Sequence, residues 1–81
     1  MIKYDRLWKK MEERGESTYT LRFHYGISGG TITQLRRNEA ITTNTLDILC
    51  EILDCKVEDI LEYVPNPEPR QFPKDKDEPI Y

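Results

Sequence analysis

Apolar residues recur through residues 1–64 at the three- and four-residue spacing of helices, and no stretch demands a strand. In "YDRLWKKMEERG", Tyr4, Leu7, Trp8 and Met11 form one stripe with charges elsewhere, and Gly15 stops the segment. In "ESTYTLRFHYG", Ser17 or Thr18 offers an N-cap, Leu21 and Tyr25 form an i, i+4 pair, and Gly26 supplies a turn. A third helix is expected from Gly29 to about Arg37, capped by Ser28, with Ile32 and Leu35 inward and Ile27 plugging the turn. After the polar connector "NEAITTNT", Thr42 caps a fourth helix whose inward stripe is Leu46, Leu49, Cys50 and Leu53. A fifth, "VEDILEYV", sets Val57, Ile60, Leu61 and Val64 on one face, with Glu58 and Asp59 in its first turn, where the helix dipole favours acids.

Pro65 ends this pattern, and all five prolines lie beyond residue 64. Residues 65–81 have few aliphatics to bury and are expected to form an extended or disordered charged tail behind a folded unit at 1–64. The 81 residues suffice for one small core, too modest for a large catalytic cleft. No apolar run approaches the roughly 18 residues of a membrane span, and the N-terminus lacks the apolar centre of a signal peptide, so a cytoplasmic protein is expected.

The net charge of −3 argues against a polyanionic partner, but its distribution reverses that argument. Residues 1–37 carry eight Lys or Arg against four Asp or Glu, whereas residues 38–64 carry one lysine against seven acids. One half is therefore basic and suited to a polyanion. Cys50 and Cys55, with a single distant His24, make neither a four-ligand metal site nor a disulfide framework, and read as small buried apolar residues. No nucleophile-base pair, carboxylate pair or phosphate loop can be assembled, so no enzymatic activity, cofactor, metal or small-molecule substrate is expected.

Five short helices, the second and third joined by a tight glycine turn, give a helix-turn-helix arrangement. From about Tyr4 to Val64 the sequence resembles the lambda-repressor-like regulators of the Cro and phage-repressor type (the xenobiotic-response-element family), especially small bacterial and prophage members. The matching positions are Leu21 in the first motif helix, Gly26 and Ile27 at the turn, Ile32 and Leu35 in the recognition helix, and the Leu46, Leu49, Cys50, Leu53 stripe. Arg22 departs from the pattern: many members carry a small alanine there, so Arg22 must reach outwards or alter the packing of the two helices.

The resemblance implies an all-α, five-helix DNA-binding domain. It further implies a sequence-specific transcriptional regulator, most simply a repressor that binds a pseudo-palindromic operator in double-stranded DNA as a homodimer, within the nucleoid. Thr31, Thr33, Gln34 and Arg37 are then the candidates for base or phosphate contact, with Arg36 serving a phosphate. Thr18 and Tyr19 resemble backbone-holding positions, although Tyr19 suits half-buried packing as well, and His24 reads as a surface residue.

Ser28, Gly29 and Gly30 open the recognition helix, where missing side chains would let the backbone approach DNA at a cost of roughly 1 kcal/mol of helix stability per glycine. Asn38 either caps the C-terminus in the left-handed conformation, the first choice, or touches phosphate. Ile48 and Ile52 lie outside the inward stripe of the fourth helix, and are either covered within the monomer or form a two-fold contact. The competing expectation is a protein-interaction module, an antirepressor or accessory subunit that keeps the fold without specific DNA binding. The net acidity and the "PNPEPRQFP" segment motivate it.

Overall fold

The computed structural model describes residues 1–72. Four helices follow one another, α1 (Asp5–Glu13), α2 (Thr18–Phe23), α3 (Gly29–Arg36) and α4 (Thr43–Leu53). The starts of α2, α3 and α4 are fixed by hydroxyl caps at the expected residues, whereas Tyr4 gives α1 no side-chain cap. Ser17 and Thr20 form a reciprocal capping box, in which Thr20 N–H donates to Ser17 Oγ at 3.2 Å and Ser17 N–H to Thr20 Oγ1 at 2.8 Å. Ser28 Oγ accepts the Thr31 N–H, and Thr42 Oγ1 the Thr45 N–H, each at 3.1 Å.

Three helices share one kind of exit. A residue at positive φ follows α1, α3 and α4, namely Gly15, Asn38 and Asp54, and the next N–H reaches back five residues to a carbonyl. These bonds are Glu16 to Met11 at 2.8 Å, Glu39 to Gln34 at 2.8 Å and Cys55 to Cys50 at 3.1 Å. The Asn38 cap was expected from the sequence; the Asp54 cap was not. Gly26, at φ 75°, makes the sharp turn between α2 and α3, a conformation that any side chain would strain.

The core consists of Tyr4, Leu7, Met11, Leu21, Ile27, Ile32, Leu35, Leu49, Leu53 and Ile60. Leu46, Cys50 and Cys55 pack partly against it, as do Trp8, Ile48 and Ile52. Burial pushes the Cys50 and Cys55 thiols above their ordinary value, with the Asp47 charge adding to the effect at Cys50. Tyr25 is no inward partner of Leu21: it is exposed, and its hydroxyl donates to Glu16 Oε1 at 3.0 Å.

The largest departure from the expected architecture lies after α4. "VEDILEYV" forms no fifth α-helix; it makes a single 3₁₀ turn, Val57–Asp59, and then a strand. Five residues beyond Lys56 are too few to offset the nucleation of a stable helix, and the Asp59 carboxylate folds back to accept the Lys56 N–H at 3.0 Å. Val57 is accordingly exposed and only Ile60 of the expected stripe is fully buried.

The chain then runs antiparallel to its own beginning. β1 (Ile2–Lys3) pairs with β2 (Glu62–Tyr63), Ile2 opposite Tyr63 and Lys3 opposite Glu62. Val64 N–H donates to the Met1 carbonyl at 2.8 Å, and the Met1 amino group donates to the Val64 carbonyl. Arg6 reinforces the closure, donating to the Glu58 carbonyl at 2.9 Å and pairing with Glu62 at 3.3 Å. No strand was expected from the sequence. Residues 65–72 carry no helix or strand, and the remainder of the expected tail lies outside the described residues. No helix among the described residues is long and apolar enough to cross a membrane.

Candidate nucleic-acid interface

Between Glu16 and Glu39 the chain contains no Asp or Glu, while Arg22, Arg36 and Arg37 lie in that interval. This acid-free interval is the α2-turn-α3 unit. Leu21, Ile27, Ile32 and Leu35 are buried and anchor both helices, which fixes the polar positions of α3 outwards.

The structure sorts the expected contact residues into two groups. The first is already engaged in local structure. Ser28 Oγ and Thr31 Oγ1 lie 2.9 Å apart in the N-cap, and Thr33 Oγ1 donates back to the Gly29 carbonyl at 3.1 Å. Asn38 holds the chain at φ 55°, and its Oδ1 accepts the Tyr4 N–H at 3.0 Å, while Tyr4 Oη donates to the Glu39 carbonyl at 2.8 Å. Its side-chain oxygen is thereby committed to tying the exit of α3 to the entry of α1.

The second group is available. Gln34 and Arg36 are exposed and have no side-chain partner among the described residues. Arg37 faces Glu39 at 3.9 Å with both side chains well exposed, an ion pair too solvated to hold the guanidinium in place. Thr18 is half-buried at the first position of α2, and Tyr19 beside it is 63% exposed. Among the described residues, Gln34 and Arg37 therefore lie side by side as available donors and acceptors, with Arg36 exposed on another side of the helix and Glu39 the one carboxylate paired with any of them.

The two glycines at the start of α3 have no internal purpose. A Cβ on Gly30 would meet only Ser28 Oγ at 3.9 Å, and one on Gly29 would touch the Arg22 guanidinium at 3.5–3.7 Å, ordinary contact in both cases. Neither residue has positive φ. The fold would accept alanine at both positions and gain helix stability.

Sequence reasoning passed over Phe23. It is 63% exposed, its ring packs against Tyr19 at a tilt of 43° with centroids 4.8 Å apart, and the Arg22 Cζ lies over it at 5.1 Å. The signal was present: Tyr19 and Phe23 are four apart and flank the direction opposite Leu21 on the helical wheel. Arg22 does reach outwards, as one of its two expected outcomes requires. Ile48 and Ile52 are half-buried against the core, so the second apolar strip of α4 is partly consumed within the chain.

A groove lies elsewhere, between the first residues, the α3–α4 connector and residues 66–70, with Met1, Ile2, Ile41, Leu46 and Leu61 among its lining. Among the described residues, no group of three or more His, Cys, Asp or Glu is arranged to hold a metal ion.

A family model described as the Cro/C1-type helix-turn-helix DNA-binding domain matches residues 6–66. Among solved structures, the chain is similar to the crystal structure of the transcriptional regulator VanUg (Form II). The two share 34% sequence identity with a TM-score of 0.74, and the match covers 80% of this chain and 87% of that one. No curated protein matches the chain.

Proposed function

We propose a specific role from a plain premise: the chain belongs to the Cro/C1-type helix-turn-helix DNA-binding family and is a DNA-binding regulator. The role is that of a transcriptional repressor acting in the cytoplasm, with α3 in the major groove and no enzymatic step. Gln34 and Arg37 read base edges, Gln suited to adenine and Arg to guanine, and Thr31 and Thr33 contribute shape and methyl contact. Arg36, Thr18, Tyr19 and the first amides of α3 hold the phosphate backbone. A homodimer would set two copies of α3 about 34 Å apart on a pseudo-palindromic operator, where the bound protein excludes polymerase.

The observation that carries this reading is the pair of glycines. A chain that accepts roughly 1 kcal/mol per glycine in the first turn of α3, with space for a methyl group at each, has a use for that backbone outside the monomer. Close approach of a duplex is such a use.

Selection of binding sites from random duplexes, followed by titration of the winner over a salt series, tests it. The expected result is a two-half-site motif, affinity that falls steeply with salt, and relaxed preference at single positions in Gln34→Ala and Arg37→Ala. Sedimentation with and without the duplex reads the stoichiometry. A protein that enriches no sequence, or variants that keep the wild-type preference, would overturn the residue roles.

A further inference from the structure

The chain's two cysteines, Cys50 and Cys55, are brought together by the way α4 ends. Asp54, at φ 48°, turns the chain back, and the Cys55 N–H reaches the Cys50 carbonyl at 3.1 Å. An exit of this form sets the side chain after the left-handed residue against the one five positions before it. The equivalent pairs are Met11 with Glu16 after α1 and Gln34 with Glu39 after α3; after α4 both members are thiols. With the backbone bond at 3.1 Å, standard peptide dimensions hold the two α-carbons within about 7 Å, the limit that a disulfide spans. The turn at Asp54 makes the pair, and a spacing of five in the sequence does not announce it.

Neither thiol is sealed in: both are half-buried, so a small reagent can approach. Burial pushes both thiols up, with Asp47, Asp59 and Glu58 adding to it at Cys50, and Cys50 and Asp59 at Cys55, where Lys10 and Arg14 oppose it. One influence on Cys50 runs the other way, a side-chain hydrogen bond with Cys55 that favours the Cys50 thiolate. Arg14 Nη2 also donates to the Asp54 carbonyl at 3.4 Å, which ties the bend between the two cysteines to the end of α1.

We propose that Cys50 and Cys55 are a redox-active dithiol, closed into an intramolecular disulfide by exchange with a low-molecular-weight disulfide. The Cys50 thiolate attacks one sulfur of the reagent, forming a mixed disulfide and releasing a thiolate that takes up a proton. Cys55 then gives its proton to solvent and attacks the Cys50 sulfur, forming the Cys50–Cys55 bond and releasing the second thiol. The protein loses two electrons and two protons, and the reagent gains them as two thiols. With both thiols raised, the attack is slow near neutral pH, and the pairing of the sulfurs sets where the exchange comes to rest.

The site stands apart from the reading of α3. Asp47, Glu51, Asp54, Glu58 and Asp59 surround the pair in sequence, and that negative charge repels a duplex, so the thiols stay open to a reagent beside bound DNA. The bond would fix the exit of α4, from which the chain runs on to β2.

The test is equilibration of the full chain with 2-mercaptoethanol and its disulfide at a series of ratios, folded and in denaturant, followed by alkylation of free thiols and intact mass spectrometry. Folded wild type should lose the mass of two hydrogens and take no alkyl group, with an equilibrium at least about tenfold further toward the disulfide than the denatured chain, because the fold has already paired the sulfurs. Asp54→Gly, which keeps the left-handed turn, should close like wild type. Cys50→Ser and Cys55→Ser should each stop at a single mixed disulfide. A folded wild type that collects two mixed disulfides or two alkyl groups in the most oxidising buffer, that links two chains, or that closes no more readily than the denatured chain would overturn the proposal.

Discussion

α3 and α4 begin and end alike and differ in between. Each starts on a hydroxyl cap, Ser28 or Thr42, whose oxygen lies within 2.9–3.0 Å of a second hydroxyl three residues on. Each ends on a left-handed polar residue, Asn38 or Asp54, closed by a five-residue backbone bond. Yet α4 packs Leu46, Ile48, Leu49, Cys50, Ile52 and Leu53 wholly or partly onto the core, while α3 contributes only Ile32 and Leu35. α3 then spends its first turn on two glycines and leaves Gln34, Arg36 and Arg37 in solvent. With the termini equal, the difference cannot come from the making of a helix. It comes from what each helix faces: α4 serves the core, and α3 keeps the smallest anchor that will hold a polar face steady.

That contrast can be broken in several places. Leu35→Ala and Leu49→Ala remove fully buried side chains and should each cost about 2–5 kcal/mol in denaturant unfolding. A much smaller loss for Leu35 would mean α3 is not anchored as described. Gln34→Ala and Arg37→Ala should each remove about 1–3 kcal/mol of discrimination between the selected duplex and a single-position mismatch, with unfolding unchanged. Asn44→Ala, at an exposed position of α4, should leave both readouts alone, and a DNA defect there would erase the distinction between the helices.

Ser28→Ala and Thr42→Ala should destabilise by about 1 kcal/mol each, equal within error, because the two caps are built alike. Gly30→Ala should raise stability by roughly 0.5–1 kcal/mol and weaken DNA binding, an opposition that a glycine kept by drift would not produce. The smallest effect belongs to pH. Cys50 and Cys55 have raised values in the fold, so the folded state favours the protonated thiols, and their contribution is full below the ordinary thiol value. It is lost as pH climbs through the raised native values, and amide exchange between neutral and alkaline pH should show α4 loosening at its C-terminus before α3.

What the sequence disclosed was local. The caps at Ser28 and Thr42, the exit at Asn38 and the inward residues of α1, α3 and α4 are each decided by groups within one or two helical turns, and all were legible. What it concealed depends on distant partners. Nothing in "IKY" announces a strand until Glu62 and Tyr63 lie beside it, and the Asn38 side chain finds Tyr4 only because 34 positions of chain fold between them. "VEDILEYV" carries a helical stripe, yet pairing of its last residues with β1 outweighs one further turn. At the interface, the polar residues of α3 were legible as a set. That Thr31 and Thr33 would use their hydroxyls beside the expected Ser28 cap, leaving Gln34, Arg36 and Arg37 free, was not, because such bonds depend on rotamers and not on residue type. Phe23 was overlooked for another reason: an aromatic at helical spacing is ordinarily credited to a core.

The β1–β2 clasp has a kinetic consequence. It joins residues about 60 apart, and closing such a loop costs roughly 3.6 kcal/mol in chain entropy beyond a constant, which two pairs of residues cannot offset before the helices are in place. The clasp therefore forms after the folding barrier: substitutions at Ile2 or Tyr63 should speed unfolding and leave refolding almost untouched. The helix-turn-helix, made of short-range contacts, is complete while the two strands are still apart. A nascent or partly opened molecule can thus hold α3 in position before β1 and β2 have met.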